Sequence, residues 1–290
     1  MKKNKKNAIK QRSASEKVFL GVLYVIFTLY AISMFFVLGW GLLSSLKTNW
    51  DFYNNSMGWP TEWRFQNYIE AFQLIEYNGF GYFGMIFNSL WQTLGKMVIA
   101  TVASTLMGYI FAKYTFHGKM VMYTVVVTLL TMPIMSAGAA GYKLIYDLKL
   151  NDSPLYLITC VGGYGMDFLI YYSMFKGVSW SYAEASFIDG GGHLYTFFRV
   201  MFPMIWPGVF ALGINGFIGG WNDYMTSLMY LSELPSLGAG LYFFRSVVER
   251  QAWDPMYFAG ALISAVLPVT LFIIFQDKIM EKVAFGGLKG

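Results

Sequence analysis

KGVSWSYAEASFIDGGGHLYTFFRVMFP, residues 176–203, is a hinge-like stretch set between two long apolar runs. Its first part, through Glu184, Ala185, Phe187 and Ile188, suits a short helix. Asp189 and then Gly190, Gly191 and Gly192 end it, because glycine accepts the left-handed backbone that reverses a chain at a helix end. A second helical stretch follows, with Leu194, Phe197, Phe198 and Met201 on one face, and Pro203 and Pro207 lead into the next apolar run. Periodicity alone leaves two readings open. The element lies amphipathically on a membrane surface, or its apolar side chains fill a groove on a soluble partner.

The runs on either side set the class. Of 290 residues, 56% are hydrophobic, 19% aromatic and 13% charged, whereas a soluble domain carries about 25% charged residues. Lipid tails accept such an apolar surface and water does not. Six spans of roughly 20 apolar residues are expected, at about 19–43, 83–112, 119–142, 154–175, 203–230 and 257–276. The runs are too continuous for a barrel, which needs period-two alternation. The first is too long for a cleavable signal and no A-x-A site follows it. The expected class is therefore an all-α polytopic membrane protein.

Charge orients it. With the basic tail 1–18 in the cytoplasm, the cytoplasmic segments hold 14 Lys/Arg against 5 Asp/Glu, and the outside segments hold 6 against 9. This is the positive-inside pattern, so the net charge of +5 calls for contact with anionic lipid rather than for nucleic acid. The expected organisation is the tail 1–18, a first span 19–43, an extracellular segment 44–82, a core 83–276 and a cytoplasmic tail 277–290. The glycine-rich end of that tail argues against a rigid lone helix. The outside segments 44–82 and 231–256 are rich in aromatics, which suits either an interfacial belt or a docking surface.

The finer pattern carries a resemblance. Glu184-Ala185-Ser186-x-x-Asp189-Gly190, with Pro203 thirteen residues after Gly190, resembles the EAA loop of ATP-binding-cassette (ABC) importer permeases. Phe87-Asn88-Ser89-Leu90, Trp221-Asn222-Asp223-Tyr224 and the ending Gly286-Gly287-Leu288-Lys289-Gly290 resemble further landmarks of the carbohydrate-uptake group, and the chain looks most like the second permease of the maltose-type transporter. The resemblance covers roughly 83–290. Ser186 and Gly191 stand where that family usually has Ala, and Ser179 where it has Pro; a serine can satisfy a helix start.

The resemblance implies a six-helix type I importer permease carrying a carbohydrate, of oligosaccharide size, across the plasma membrane. It implies a second permease subunit, two ATPase subunits that use ATP and Mg, and an extracellular solute-binding protein. ATPase coupling then falls to Glu184, Ala185, Phe187, Ile188, Asp189, Gly190, Phe197 and Pro203. The residues themselves support one part of this. No G-x-x-x-x-G-K-[ST] phosphate loop is present, so the chain is expected to bind no cofactor and to be no enzyme. His117 and His193 fit no metal-ligand pattern. The glycine-rich run 162–165 suits close helix packing, and Cys160 is a small buried hydrophobe.

Lys96, Asp167 and Asp223 fall inside spans, where ionisable groups are costly and face a cavity or a partner. With Asn88, Asn215, Trp221 and Asn222 they form the candidate translocation pathway, because sugars need hydroxyl-binding groups beside aromatic faces. A polar network holding helices together is the simpler alternative. Lys96 is expected to pair with Asp167, with Asp223 or with a carboxylate of the partner permease. Two rival functions are weaker. An ion-driven secondary transporter would show inverted repeats, and a membrane-embedded enzyme would show paired catalytic groups; neither is evident. A non-sugar cargo for the same kind of importer stays open.

Overall fold

The computed structural model describes residues 14–131, 137–161 and 165–286. Helix α1 (Ala14–Ser45) is 32 residues long, which at 1.5 Å per residue gives about 48 Å, more than the ~30 Å hydrocarbon layer needs. Nearly its whole length is exposed, as suits a helix whose solvent is lipid.

The next segment folds as a cap. Thr48 accepts from the backbone NH of Asp51 and starts α2 (Asn49–Asn54). Helix α3 (Gln66–Leu74) follows. A two-stranded antiparallel hairpin, β1 (Glu76–Tyr77) and β2 (Phe80–Gly81), turns through Asn78-Gly79, both at positive φ. Asn-Gly is the pair that such a turn favours. This hairpin is the only strand pair among the described residues.

Helix α4 (Tyr82–Lys113) is the centre of the bundle, packed against α7 (Met166–Gly177) and α10 (Phe202–Trp221). Between α4 and α7 run α5 (Lys119–Thr131), α6 (Ala137–Asp147) and a 3-10 turn, Pro154–Cys160. After α7 come α8 (Ser181–Ile188) and α9 (His193–Thr196), then a π turn, Phe197–Met201, that runs into α10. The chain ends in α11 (Tyr224–Tyr230), α12 (Leu237–Gln251) and α13 (Asp254–Gly286).

Among the described residues four helices are long and apolar enough to cross a bilayer: Ser15–Ser45, Tyr82–Lys113, His193–Trp221 and Asp254–Ile274. The other two expected spans each include residues outside the described ones. The stretch 119–142 holds α5 and the start of α6, and 154–175 holds the 3-10 turn and most of α7. Helix α7 has 12 residues, about 18 Å at 1.5 Å per residue, too short to cross by itself. Residues 132–136 and 162–164, which include most of the glycine run expected to aid packing, lie outside the described residues. The fifth span begins earlier than expected, at His193, and ends at Trp221 rather than 230. Asp223 caps a new helix there, accepting from the backbone NH of Thr226.

The tail also departs from expectation. Helix α13 continues through 277–286 to Gly286. Once a helix exists, each further residue extends it without a new nucleus, so the good helix formers after Gln276 simply propagate it. Residues 287–290 lie outside the described residues.

Of three apolar clusters among the described residues, the two larger organise the interior. One joins the cap to the membrane helices: Ile75, Met85, Trp221, Leu237, Phe244 and Met256. The other, Tyr109, Tyr171, Phe175, Ala183, Phe197 and Met201, sits where α4, α7 and α10 meet the α8–α9 loop.

Candidate functional site

The α8–α9 loop is built as a rigid corner. Ser179 stands before it, and its hydroxyl accepts from the backbone NH of Ser181 at 3.3 Å, so this serine supports the first turn of α8. Helix α8 closes at Asp189, whose NH bonds the carbonyl of Ala185 at 3.0 Å. Gly190 then takes φ 85°, the region in which a Cβ costs about 1–2 kcal/mol. The NH of Gly191 bonds back to the carbonyl of Ser186 at 2.8 Å, and the buried hydroxyls of Ser186 and Thr196 lie 2.9 Å apart.

The loop has two faces. Ala183, Ser186, Thr196 and Phe197 are buried, and Ala183 and Phe197 belong to the cluster shared with α4, α7 and α10. Beside them an aromatic chain runs from Tyr114 to Trp180 (5.6 Å), to Phe187 (6.0 Å) and to His193 (5.0 Å). The hydroxyl of Tyr114 also meets Nδ1 of His193 at 2.9 Å, and Lys113 donates to the carbonyl of Val178. Opposite, Ile188 is 86% exposed and Leu194 70%; Glu184, Ala185, Asp189 and Gly190 are exposed with them. A groove of about 640 Å³ between the two helices is lined by Tyr182, Ala185, Asp189, Gly190, Tyr195 and Val200.

The apolar face expected on the second helix is therefore split. Phe197 and Met201 point inward, while Leu194 and Phe198 are exposed. Within the π turn the NH of Phe202 bonds the carbonyl of Phe197, five residues back, and the shifted register parts Phe198 from Met201. Pro203, exposed at the start of α10, has no NH to give the carbonyl four residues before it, so the widened turn falls where a regular ladder would fail.

The residues expected to line a pathway fall into separate places. Lys96 and Asp223 meet, Nζ to Oδ2 at 2.9 Å, with side chains 18% and 30% exposed. Asp167 is exposed in the first turn of α7 and forms no part of that pair. Asn215 and Asn222 lie on exposed positions of α10 and its end, the amide of Asn222 donating to the carbonyl of Ile218 at 2.9 Å. Trp221 is buried and stacks on Phe217.

Asn88 belongs to a clasp that sequence reasoning missed. Its amide donates to the carbonyl of Pro235 at 3.1 Å and its oxygen accepts from the indole of Trp91 at 3.1 Å. One turn along, Gln92 donates to the carbonyl of Leu234 at 2.7 Å, and Ser89 accepts from the NH of Leu237 at 2.7 Å. Asn88, Ser89, Gln92, Thr93 and Lys96 make one polar stripe on α4, and that spacing was the available signal. Among the described residues no three His, Cys, Asp or Glu side chains converge to hold a metal.

Comparison with known proteins places this architecture. The diacetylchitobiose uptake system permease protein NgcG of Streptomyces coelicolor is 27% identical over 282 residues, spanning 94% of this chain and 90% of that protein. The maltodextrin transport system permease protein MdxG of Bacillus subtilis is 28% identical over 207 residues, spanning 70% and 74%. A chain from the crystal structure of a bacterial ABC transporter involved in the import of the acidic polysaccharide alginate superposes with a TM-score of 0.70 at 17% identity, covering 92% of this chain and 98% of that one; at that identity the likeness is one of fold. The family model described as binding-protein-dependent transport system inner membrane component matches residues 102–283, the segment that contains the α8–α9 corner, and the chain belongs to that family of integral membrane permeases.

Proposed function

We propose that this chain is one of two permease subunits of an ABC importer that carries an oligosaccharide inward across the plasma membrane. ATP and Mg are used on two separate ATPase subunits, and a solute-binding protein delivers the cargo outside. The observation that carries the reading is the two-faced α8–α9 corner: one face is locked into the core of α4, α7 and α10, and the other leaves Ile188 and Leu194 uncovered. Burying one such side chain contributes about 1.5–3 kcal/mol, enough for a few of them to hold the corner in an ATPase groove. Motion of that groove then reaches α10 directly, because the loop runs into it without a flexible joint.

In this reading both termini are cytoplasmic, as the Lys/Arg distribution favours, and the tail 277–290 lies beside the ATPase pair. The Lys96–Asp223 pair belongs to the outer part of the pathway. Phe197 and Pro203 act from inside the joint, by fixing the turn that links α9 to α10. The carbohydrate assignment draws on the cargo named for the relatives.

The test is uptake into proteoliposomes containing the permease, its partner permease, the ATPases and the binding protein. Accumulation of a labelled oligosaccharide that requires ATP and survives collapse of ion gradients is the expected result. Uptake that follows an ion gradient without ATP overturns the importer reading, and ATP-driven uptake confined to non-sugar solutes overturns the cargo.

A further inference from the structure

The loop after α2 is tied down at several points and yet leaves its largest side chains uncovered. The ammonium of Lys47, itself buried, donates to the carbonyls of Asn55 at 2.5 Å and Ser56 at 3.2 Å. The Asn55 amide donates to the carbonyl of Trp59 at 3.0 Å, and the NH of Thr61 donates to the buried Asp51 carboxylate at 2.8 Å. Between these ties Met57 is 71% exposed and Trp59 72%. No Asp, Glu, Lys or Arg occurs from Phe52 to Pro60.

Two membrane helices fix the depth of the loop. The indole of Trp40, on α1, donates to the carbonyl of Ser56 at 2.9 Å. Trp40 comes five residues before the end of α1 at Ser45, about 7.5 Å inside that end at 1.5 Å per residue. The same indole packs edge-on against Phe258 at 5.3 Å, the fifth residue of α13 and so about 6 Å past its start. The Tyr53 hydroxyl donates to the carboxylate of Asp254, which begins α13. The chain thus leaves α1, turns back, and returns to a level about one turn below the outer ends of both helices. Counted from Val18, the first apolar residue after Lys17, the roughly 20 residues that cross the hydrocarbon end near Leu38. Trp40 and the loop bonded to it therefore lie in the interfacial layer, next to the hydrocarbon.

We propose that loop 55–59 is a membrane anchor, with Met57 and Trp59 seated among the headgroups and upper acyl chains of the leaflet around α1 and α13. An indole has an apolar body and one N–H donor, which suits the boundary between headgroup and chain. Met57 is flexible and apolar and fills the uneven space beside it. The lack of charge across 52–60 avoids the cost of carrying an ion toward the hydrocarbon. Because the protein's own hydrogen bonds already order the loop, seating it in lipid costs little chain entropy. A soluble partner approaches the outer surface of the cap, whereas this loop has turned back toward the membrane. The anchor steadies the outer end of α1, a helix exposed over nearly its whole length. It depends neither on the cargo nor on which side the termini occupy.

The test uses the complete transporter, with cysteine-free partner permease and ATPases, in vesicles of phosphatidylethanolamine and phosphatidylglycerol. In a Cys160→Ser background, nitroxide labels are placed at Met57→Cys, Trp59→Cys and, as the aqueous reference, Glu62→Cys. Each label reports its collisions with oxygen, which concentrates in lipid, and with a water-soluble nickel chelate. The oxygen-to-nickel ratio is expected to be about threefold or more higher at 57 and 59 than at 62. All three positions are exposed, so the changes should spare the fold, and recovery of the partner permease checks this. The unmodified transporter gives a second reading: a phospholipid with a diazirine at the headgroup end of its acyl chain should label the tryptic peptide 48–64. Ratios at 57 and 59 equal to that at 62 place the loop in water and overturn the anchor. Few collisions with either reagent would show that protein covers the loop, a partner permease or a solute-binding protein, and overturn it equally. Lipid labelling that misses the peptide 48–64 does the same.

Discussion

The ammonium of Lys96 and the carboxylate of Asp223 lie 2.9 Å apart, joining the middle of α4 to the break between α10 and α11. Asp223 carries two loads at once. It caps α11 through the NH of Thr226 at 3.0 Å and takes a second bond from the hydroxyl of the same residue at 2.5 Å. The break in the fifth apolar run is thus fixed to α4 by a charge pair.

A double-mutant cycle measures that link. Lys96→Met leaves a carboxylate without its cation, and Asp223→Asn keeps a good cap while removing the charge. The pair is partly exposed, so each single change is expected to cost about 1–3 kcal/mol, below the roughly 3–5 typical of a fully buried pair. The double variant should cost less than the sum by at least about 0.5 kcal/mol. Thermal unfolding in nanodiscs, followed by tryptophan fluorescence, gives the cycle. Strictly additive losses would mean that the two charges do not stabilise each other.

Ser186 and Gly191 are expected to be coupled. A Cβ added at Gly191 would meet the Ser186 hydroxyl at 2.6 Å, the Ser186 carbonyl at 2.8 Å and the Tyr195 ring at 2.9 Å. The two departures from the family's usual alanines therefore fit one another: the hydroxyl that bonds Thr196 occupies space that an alanine methyl at the Gly191 position would need. Gly191→Ala should speed amide exchange across 181–200, while Ser186→Ala loses one hydrogen bond, about 1 kcal/mol. The double change should exchange more slowly than Gly191→Ala alone, because one of its clashes is gone. It should not match wild type, since the carbonyl remains in place. A double variant no better protected than Gly191→Ala would separate the two positions.

Much of this was legible in the sequence. Long apolar runs marked the positions of α1, α4, α10 and α13, because hydrophobic length is a local property. The Gly190 turn was equally local, and a positive φ is what glycine is for. What was hidden depends on contacts between distant segments. The polar stripe of α4 reads as pathway lining until the carbonyls of Leu234 and Pro235 are seen against it. Ring contacts likewise join Tyr142, Tyr146, Tyr156 and Tyr230, which have no common period in the chain. The π turn was hidden too, since the 3.6-residue pattern assigned Phe198 and Met201 to one face and the widened turn leaves the first exposed and the second buried.

Topology is expected to follow the basic residues. In a Cys160→Ser background, Asn4→Cys should react with an impermeant maleimide only from the cytoplasmic side, and Glu62→Cys only from outside. Glu62 is exposed, so its labelling depends on side rather than on burial. Labelling of Asn4→Cys from outside would reverse the orientation and remove the α8–α9 corner from the ATPase side.

The corner itself provides the test on which the proposed function most depends. Gly190→Val places a β-branched residue at φ 85°, at a cost of about 1–2 kcal/mol or more, and should distort the angle between α8 and α9. Glu184→Ala acts otherwise. Glu184 is exposed on α8 and has no role in closing the corner, so its loss should spare the fold and weaken an ion pair with a basic residue of the ATPase groove. Neither change touches a membrane helix, so both variants should insert as the wild type does. Gly190→Val is expected to reduce solute-stimulated ATP hydrolysis at least tenfold, whereas Glu184→Ala should lower recovery of the ATPase with the purified permease. Co-purification and ATPase rate in lipid read the two effects separately. The exposed pair Ile188 and Leu194 supplies the check on mechanism: Ile188→Ser with Leu194→Ser removes the apolar contact while leaving the buried face, from Ala183 to Phe197, untouched. If that double variant keeps both full assembly and full coupling, the corner does not dock through its apolar face, and the force from ATP must reach α10 by another route.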